Sequence, residues 1–169
     1  MRLRQLIPAE YHQSIYEIEL ESLRRKGIKV LLLDLDNTLV PWGERAAPET
    51  LSPWIKRVLA EGFAVCILSN NTHERGAKLA EELGIPLVSS AWKPRRRAFR
   101  QAMERLGVSA RETAVIGDQI FTDVLGGNRV GAHTILVVPI SRKELWSTQI
   151  VRHVERMVLR WIKGGAAGG

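Results

Sequence analysis

The chain has 169 residues, enough for one domain with a real hydrophobic core and no disulfide staples. Its single Cys excludes a disulfide framework and a cysteine-based zinc cluster, and no apolar run approaches the ~20 residues that span a bilayer. Lys and Arg number 25 against 18 Asp and Glu, a formal charge of +7, which turns attention to anionic partners.

The N-terminal run Met1 to Pro8 lacks the apolar core of a secretory signal, so a reduced, cytoplasmic setting is expected. Residues 1–27 read as a helical extension. The branched apolar run Ile28 to Leu33 reads as a buried strand. A helix is expected from Pro48 to Glu61, with Leu51, Trp54, Ile55, Val58 and Leu59 at helical spacing and Gly62 as the stop. Phe63 to Leu68 is the second strand, and His73 to Leu83 a helix closed by Gly84. A short strand, Pro86 to Val88, precedes a helix from Pro94 to Leu106 that starts on Pro and ends on Gly107. Thr113 to Ile116 is the fourth strand, Thr122 to Val130 a helix closed by Gly131, and Thr134 to Val138 the last strand. Residues 144–163 read as a second helical extension, and the tail 164–169, all Gly and Ala, as disordered. Alternating strands and helices of these lengths predict an α/β fold, a Rossmann-like parallel sheet with helices on both faces, in one domain over residues 1–163.

In open α/β sheets, ligands bind at the carboxyl ends of the strands. Those ends carry Asp34-Leu35-Asp36-Asn37-Thr38, then Ser69-Asn70-Asn71, then Ser89 to Pro94 with Lys93, then Gly117-Asp118 and onward to Asp123. A lone Asp in such a place is usually a helix cap. Four carboxylates delivered by nearly pure hydrocarbon strands are not accounted for that way, because adjacent carboxylates repel and burial worsens the repulsion. A hard divalent cation resolves it, and an oxygen-only donor set suits Mg²⁺. Lys93 and the Ser69 hydroxyl suit a phosphate. Cys66, inside Val65-Cys66-Ile67, reads as a core thiol. His12, His73, His133 and His153 have no ligand spacing, and Gly126-Gly127 reads as close packing or a helix kink.

These four stretches, in this order, resemble the four motifs of the haloacid dehalogenase (HAD) superfamily of phosphatases. Within it the chain resembles the small IIIA-type, YqeG-like group that includes the phosphatidylglycerophosphate phosphatases, over roughly residues 5–160. The resemblance implies roles. Asp34 is the nucleophile that forms an aspartyl-phosphate, and Asp36 the general acid and base. Ser69, with Asn70 beside it, holds the phosphoryl oxygens, and Lys93 neutralises nucleophile and phosphoryl group. Asp34, the Asp36 backbone carbonyl and Asp118 hold Mg²⁺, while Thr38 and Asp123 orient the site from behind.

The 32 residues between Asp36 and Ser69, and the 23 between Ser69 and Lys93, are used up by the expected helices and strands. No cap domain fits, so a capless HAD fold with an open site is expected. An open site suits a phosphate on something large, and phosphatidylglycerophosphate is the leading substrate. The alternatives are a soluble phosphosugar, a nucleotide or a nucleic-acid end, with nucleic acid less favoured, and, from another class, a non-catalytic basic binding module. The basic excess is local: residues 93–105 carry a net +5 and residues 142–163 a net +4. In the second stretch, Trp146, Ile150, Val151, Val154, Met157, Val158, Trp161 and Ile162 form one helical stripe, with Arg152, Arg156, Arg160 and Lys163 off it. This helix is expected either to pack on the core or to dock peripherally on an anionic membrane.

Overall fold

A computed structural model of the chain describes residues 3–44, 46–71 and 74–141. The expected C-terminal helix and Gly/Ala tail lie outside the described residues. Six strands form one parallel sheet: β1 (Glu10–His12), β2 (Val30–Leu33), β3 (Ala64–Leu68), β4 (Leu87–Val88), β5 (Thr113–Gly117) and β6 (His133–Val137). Their spatial order is β1-β6-β5-β2-β3-β4, and every pair is parallel. The helices are α1 (Leu20–Arg25), α2 (Leu51–Ala60), α3 (Glu74–Leu83), α4 (Arg96–Leu106) and α5 (Leu125–Val130).

Alternation along each strand sends side chains to opposite faces, and both faces are covered. On one face Leu31, Leu33, Val65, Ile67, Ala114 and Ile116 join Leu51, Trp54, Ile55 and Val58 of α2 and Leu79 and Ala80 of α3. On the other, Leu32, Cys66, Leu68 and Val115 meet Ala98, Phe99, Ala102 and Met103 of α4. Cys66 is buried, and burial pushes its thiol up to about 11, in keeping with a core residue. α4 ends where Gly107 takes a left-handed φ of 66°, a conformation that suits glycine. A Cβ on Gly126 would lie 2.4 Å from the Phe99 ring, and one on Gly127 would lie 2.6 Å from Thr134 Cγ2. The Gly126-Gly127 pair therefore serves close packing of α5 on α4 and the sheet.

The structure departs from the sequence reading in two places. Residues 3–27 are not one helical extension: two 3-10 turns, Leu3–Leu6 and Ile15–Glu17, flank the edge strand β1, and only α1 is α-helical. Three residues, Glu10, Tyr11 and His12, are too few and too polar to show a strand period. The helix expected from Thr122 instead opens as a π-helical turn, Ile120–Val124, and becomes α-helical at Leu125. Wide turns of this kind often mark functional sites, and this one carries Asp123. No described helix is long and apolar enough to cross a membrane.

Candidate active site

β2, β3 and β5 are neighbours at the centre of the sheet, so the loops leaving their carboxyl ends converge. Asp34 follows β2, and its backbone N–H is still in the ladder, donating to the Ile116 carbonyl at 2.9 Å. Ser69 follows β3, Lys93 lies beyond β4, and Asp118 follows β5. Asp36, Thr38, Ser69, Lys93, Asp118 and Asp123 are all buried.

Lys93 is the hub. Its side chain is 3% exposed, and its Nζ donates to Asp34 Oδ1 at 2.5 Å and to Asp123 Oδ1 at 2.6 Å. Asp123 Oδ2 accepts from the Gln119 backbone N–H at 3.1 Å, so that carboxylate is held through both oxygens, one by Lys93 and one by the start of the π-helical turn. Thr38 Oγ1 donates to Asp118 Oδ1 at 3.2 Å across 80 residues of sequence. Asp34, Asp118 and Asp123 each place one carboxylate oxygen within 4.8 Å of the others.

Three carboxylates surround one ammonium, leaving surplus negative charge. Burial, then the charges of Asp123 and Asp118, push the Asp34 carboxyl well above the usual range, with Lys93 opposing them. Burial acts to lower Lys93, but Asp123 and Asp34 more than offset it and hold the ammonium charged. A divalent cation among these oxygens would cancel the surplus and favour the ionised form of Asp34. The donor set therefore fits a hard metal ion such as Mg²⁺.

Asp36 points elsewhere. Its Oδ2 accepts from Asn71 Nδ2 at 2.7 Å and its Oδ1 from Arg75 Nη2 of α3. Neither partner was singled out from the sequence. Asn71 follows Ser69 by two residues, and its backbone N–H donates to Ser69 Oγ at 3.1 Å, so one turn holds both groups. Asn70 grips the backbone of Lys93: the Lys93 N–H donates to Asn70 Oδ1 at 2.6 Å, and Asn70 Nδ2 donates to the Lys93 carbonyl at 3.4 Å. Its amide holds the lysine loop, whereas the sequence reading offered it to substrate.

Two strained segments complete the site. Asn37 sits at φ 63°, and its side-chain oxygen accepts from the Trp42 and Ser141 backbone N–H groups at 3.1 and 3.3 Å, tying down the loop after β2. Asn tolerates that conformation better than other side chains, which was the available sequence signal. Ser90 and Trp92 are also left-handed, at φ 50° and 51°, just before Lys93. Trp92 is 68% exposed, and the Arg95 guanidinium lies 5.7 Å from its ring centroid. Arg95, Arg96, Arg97 and Arg100 are exposed, so Lys93 alone of that basic run's first five cations belongs to the buried site.

The chain is 41% identical over 157 residues to the "Probable phosphatase YqeG" of Bacillus subtilis, covering 93% of this chain and 91% of that one. The chain belongs to the HAD superfamily of phosphatases. A HAD-hydrolase-like family profile matches residues 91–139, which include Lys93, Asp118 and Asp123. A second HAD relative, "Phosphatidylglycerophosphate phosphatase 1, chloroplastic/mitochondrial" of Arabidopsis thaliana, is 33% identical over 161 residues. That match covers 88% of this chain but 46% of the Arabidopsis protein, so the chain spans about half of that relative's length. Among solved structures, the 3-deoxy-D-manno-octulosonate 8-phosphate phosphatase of Yersinia pestis superposes with a TM-score of 0.54 at 18% identity, over 81% of this chain and 84% of that one. This last likeness shows the HAD fold.

Proposed function

We propose that this HAD phosphatase is a Mg²⁺-dependent phosphomonoesterase that works through an aspartyl-phosphate on Asp34 and acts on phosphatidylglycerophosphate. The observation that carries the chemistry is the Asp34–Lys93–Asp123 network, a part-buried nucleophile locked to a cation fixed from behind. Asp34, Asp118 and the Asp36 backbone carbonyl would hold the metal. Bound there, it would neutralise developing charge on the phosphoryl oxygens.

An Asp34 carboxylate oxygen attacks phosphorus, and the bond to the leaving oxygen breaks. Asp36, two residues on, gives that oxygen its proton. Water then attacks the acyl-phosphate, losing a proton to Asp36, and inorganic phosphate leaves. Ser69 Oγ and nearby backbone N–H groups hold phosphoryl oxygens, and Lys93 offsets their charge. Asp123, held at both oxygens, and Thr38, bonded to Asp118, position these groups without touching substrate.

The substrate assignment is supported by the Arabidopsis relative's name and by an open site. No helix or strand intervenes between β2 and α2 in the described residues. The exposed Trp92 with Arg95, Arg96 and Arg97, next to Lys93, supports peripheral docking on an anionic membrane, where each basic group contributes ~1 kcal/mol at low salt. Phosphate release should be measured across lipid, sugar, nucleotide and nucleic-acid phosphates, with Mg²⁺ and with EDTA. Metal-dependent release highest on phosphatidylglycerophosphate in anionic vesicles is expected. Release that survives EDTA would overturn the chemistry, and a clear preference for a soluble phosphate would overturn the lipid assignment.

A further inference from the structure

Both oxygens of Asp36 are occupied, one by Asn71 and one by Arg75. Each oxygen keeps a second lone pair, but a group that exchanges a proton with a leaving oxygen must also be able to turn towards it. Two donors pin Asp36, so release of one favours turnover. Asn71 is fixed through its own backbone to Ser69, whereas Arg75 reaches in on a long side chain from the first turn of α3.

Arg75 is not settled where it lies. Its Nη1 donates to the Glu44 carbonyl and its Nη2 to Asp36, but its Nε, also buried, has no partner. It is the one buried side-chain nitrogen or oxygen among the described residues in that position. Its side chain is 22% exposed, so it is neither solvated nor fully bonded. It also lines an open cleft of about 550 Å³ between the 46–52 segment and α3, with apolar walls that include Ala47, Leu51 and Leu79. The other charged residues at the cleft are Glu49, Lys78 and Glu82, and Lys78 faces Glu82 at 3.9 Å.

A part-buried guanidinium does not leave a carboxylate for nothing, because an unpaired charge would remain on both sides. It does exchange one anion for another at little cost. Its planar fork suits a phosphate oxygen pair as well as a carboxylate. We propose that Arg75 reads a second anionic group of the substrate, beyond the scissile phosphate, and that taking it frees Asp36 for the leaving oxygen. This rests on the phosphatase reading above. In phosphatidylglycerophosphate the second anion is the phosphodiester, one glycerol away from the monoester. A substrate without a second anion leaves the Arg75–Asp36 pair in place and Asp36 pinned, so it turns over poorly.

The test compares kcat/KM for glycerophosphoglycerol phosphate, the deacylated lipid headgroup, with that for sn-glycerol 3-phosphate. The two share the scissile group and differ by the diester. A third ester, 3-phosphoglycerate, offers a carboxylate as the second anion. Ratios within one preparation do not depend on the fraction folded. The wild-type chain should prefer the diester by about 10- to 100-fold, the scale of charge-assisted hydrogen bonds. Arg75→Met should bring that ratio to within about threefold of one. Arg75→Lys, which keeps the charge but not the fork, should fall between. An equal gain for 3-phosphoglycerate identifies the ligand as any second anion, and a gain for the diester alone identifies a phosphodiester. Turnover of glycerol 3-phosphate with no diester preference, or a preference that survives Arg75→Met, overturns this inference and leaves the phosphatase reading standing. Turnover of no ester at all by the wild-type chain overturns both.

Discussion

Gly117 is the last residue of β5, and a Cβ built on it would lie 2.2 Å from Asp123 Cγ and 2.3 Å from Asp123 Oδ2. Ordinary contacts begin near 3.4 Å, so in Gly117→Ala the Asp123 carboxylate must retreat by about 1 Å. It cannot do so and keep its bonds to Lys93 Nζ at 2.6 Å and to the Gln119 N–H at 3.1 Å. Bonds to a charged group contribute about 1.5–3 kcal/mol each, so losing both costs about 3–6 kcal/mol. Lys93 would then swing with its remaining partner, Asp34, and a displacement of that size at the reacting groups costs about 10²-fold in turnover. Urea denaturation of Gly117→Ala, Asp123→Ala and the double variant closes a cycle. The clash disappears once Asp123 is gone, so the single costs should overshoot the double by about 2 kcal/mol or more. Additive costs, or a Gly117→Ala variant within 0.5 kcal/mol of wild type, would refute the claim that this glycine exists to seat Asp123.

Lys93→Met removes the ammonium bonded to Asp34 and Asp123, leaving carboxylates uncompensated; without metal it should lose about 3 kcal/mol in denaturant titration and regain part of that with added Mg²⁺, besides losing phosphatase activity. Thr38→Val deletes the hydroxyl bonded to Asp118 Oδ1, and isothermal titration should show about tenfold weaker Mg²⁺ binding with the fold intact. Far from the site, burial alone would raise the Glu10 carboxyl, but bonds from Lys26, His12 and His133 bring it from 4.5 down to about 2. A lowered carboxyl stabilises the fold above its unfolded value and loses that contribution as pH falls through 4.5 towards 2. Glu10→Gln should therefore cost about 1 kcal/mol at neutral pH, discounted for its partial exposure, and progressively less below pH 4.5; a constant difference across that range would contradict the assignment.

The strand ends were legible because apolar runs ended abruptly in Asp34, Ser69 and Gly117-Asp118, and an alternating order of strands and helices fixes where such ends meet. The Gly126-Gly127 pair was legible as packing because glycine inside a helix needs a close neighbour, and Phe99 and Thr134 are those neighbours. Arg75 was not legible. It lies 39 residues from Asp36, in a helix whose charged residues otherwise read as a solvated face, and only the contact between α3 and the loop after β2 gives it a partner. Asn71 was hidden by its neighbour, since two consecutive amides after Ser69 do not say which one turns to Asp36 and which to Lys93. β1 was missed because an edge strand of three residues draws its register from β6 and not from its own pattern. The basic stripe expected over residues 146–162 lies outside the described residues, so membrane docking rests here on Trp92 and its neighbouring arginines.

In the proposed reaction Asp34 carries the phosphoryl group. The direct measurement is an acid quench of the enzyme turning over a ³²P-labelled phosphomonoester with Mg²⁺, followed by mapping of the labelled peptide and treatment with hydroxylamine. A hydroxylamine-labile label is expected on the peptide containing Asp34, with none in Asp34→Asn and no phosphate release by that variant. Label on another residue, or phosphate release by Asp34→Asn at the wild-type rate, would contradict it.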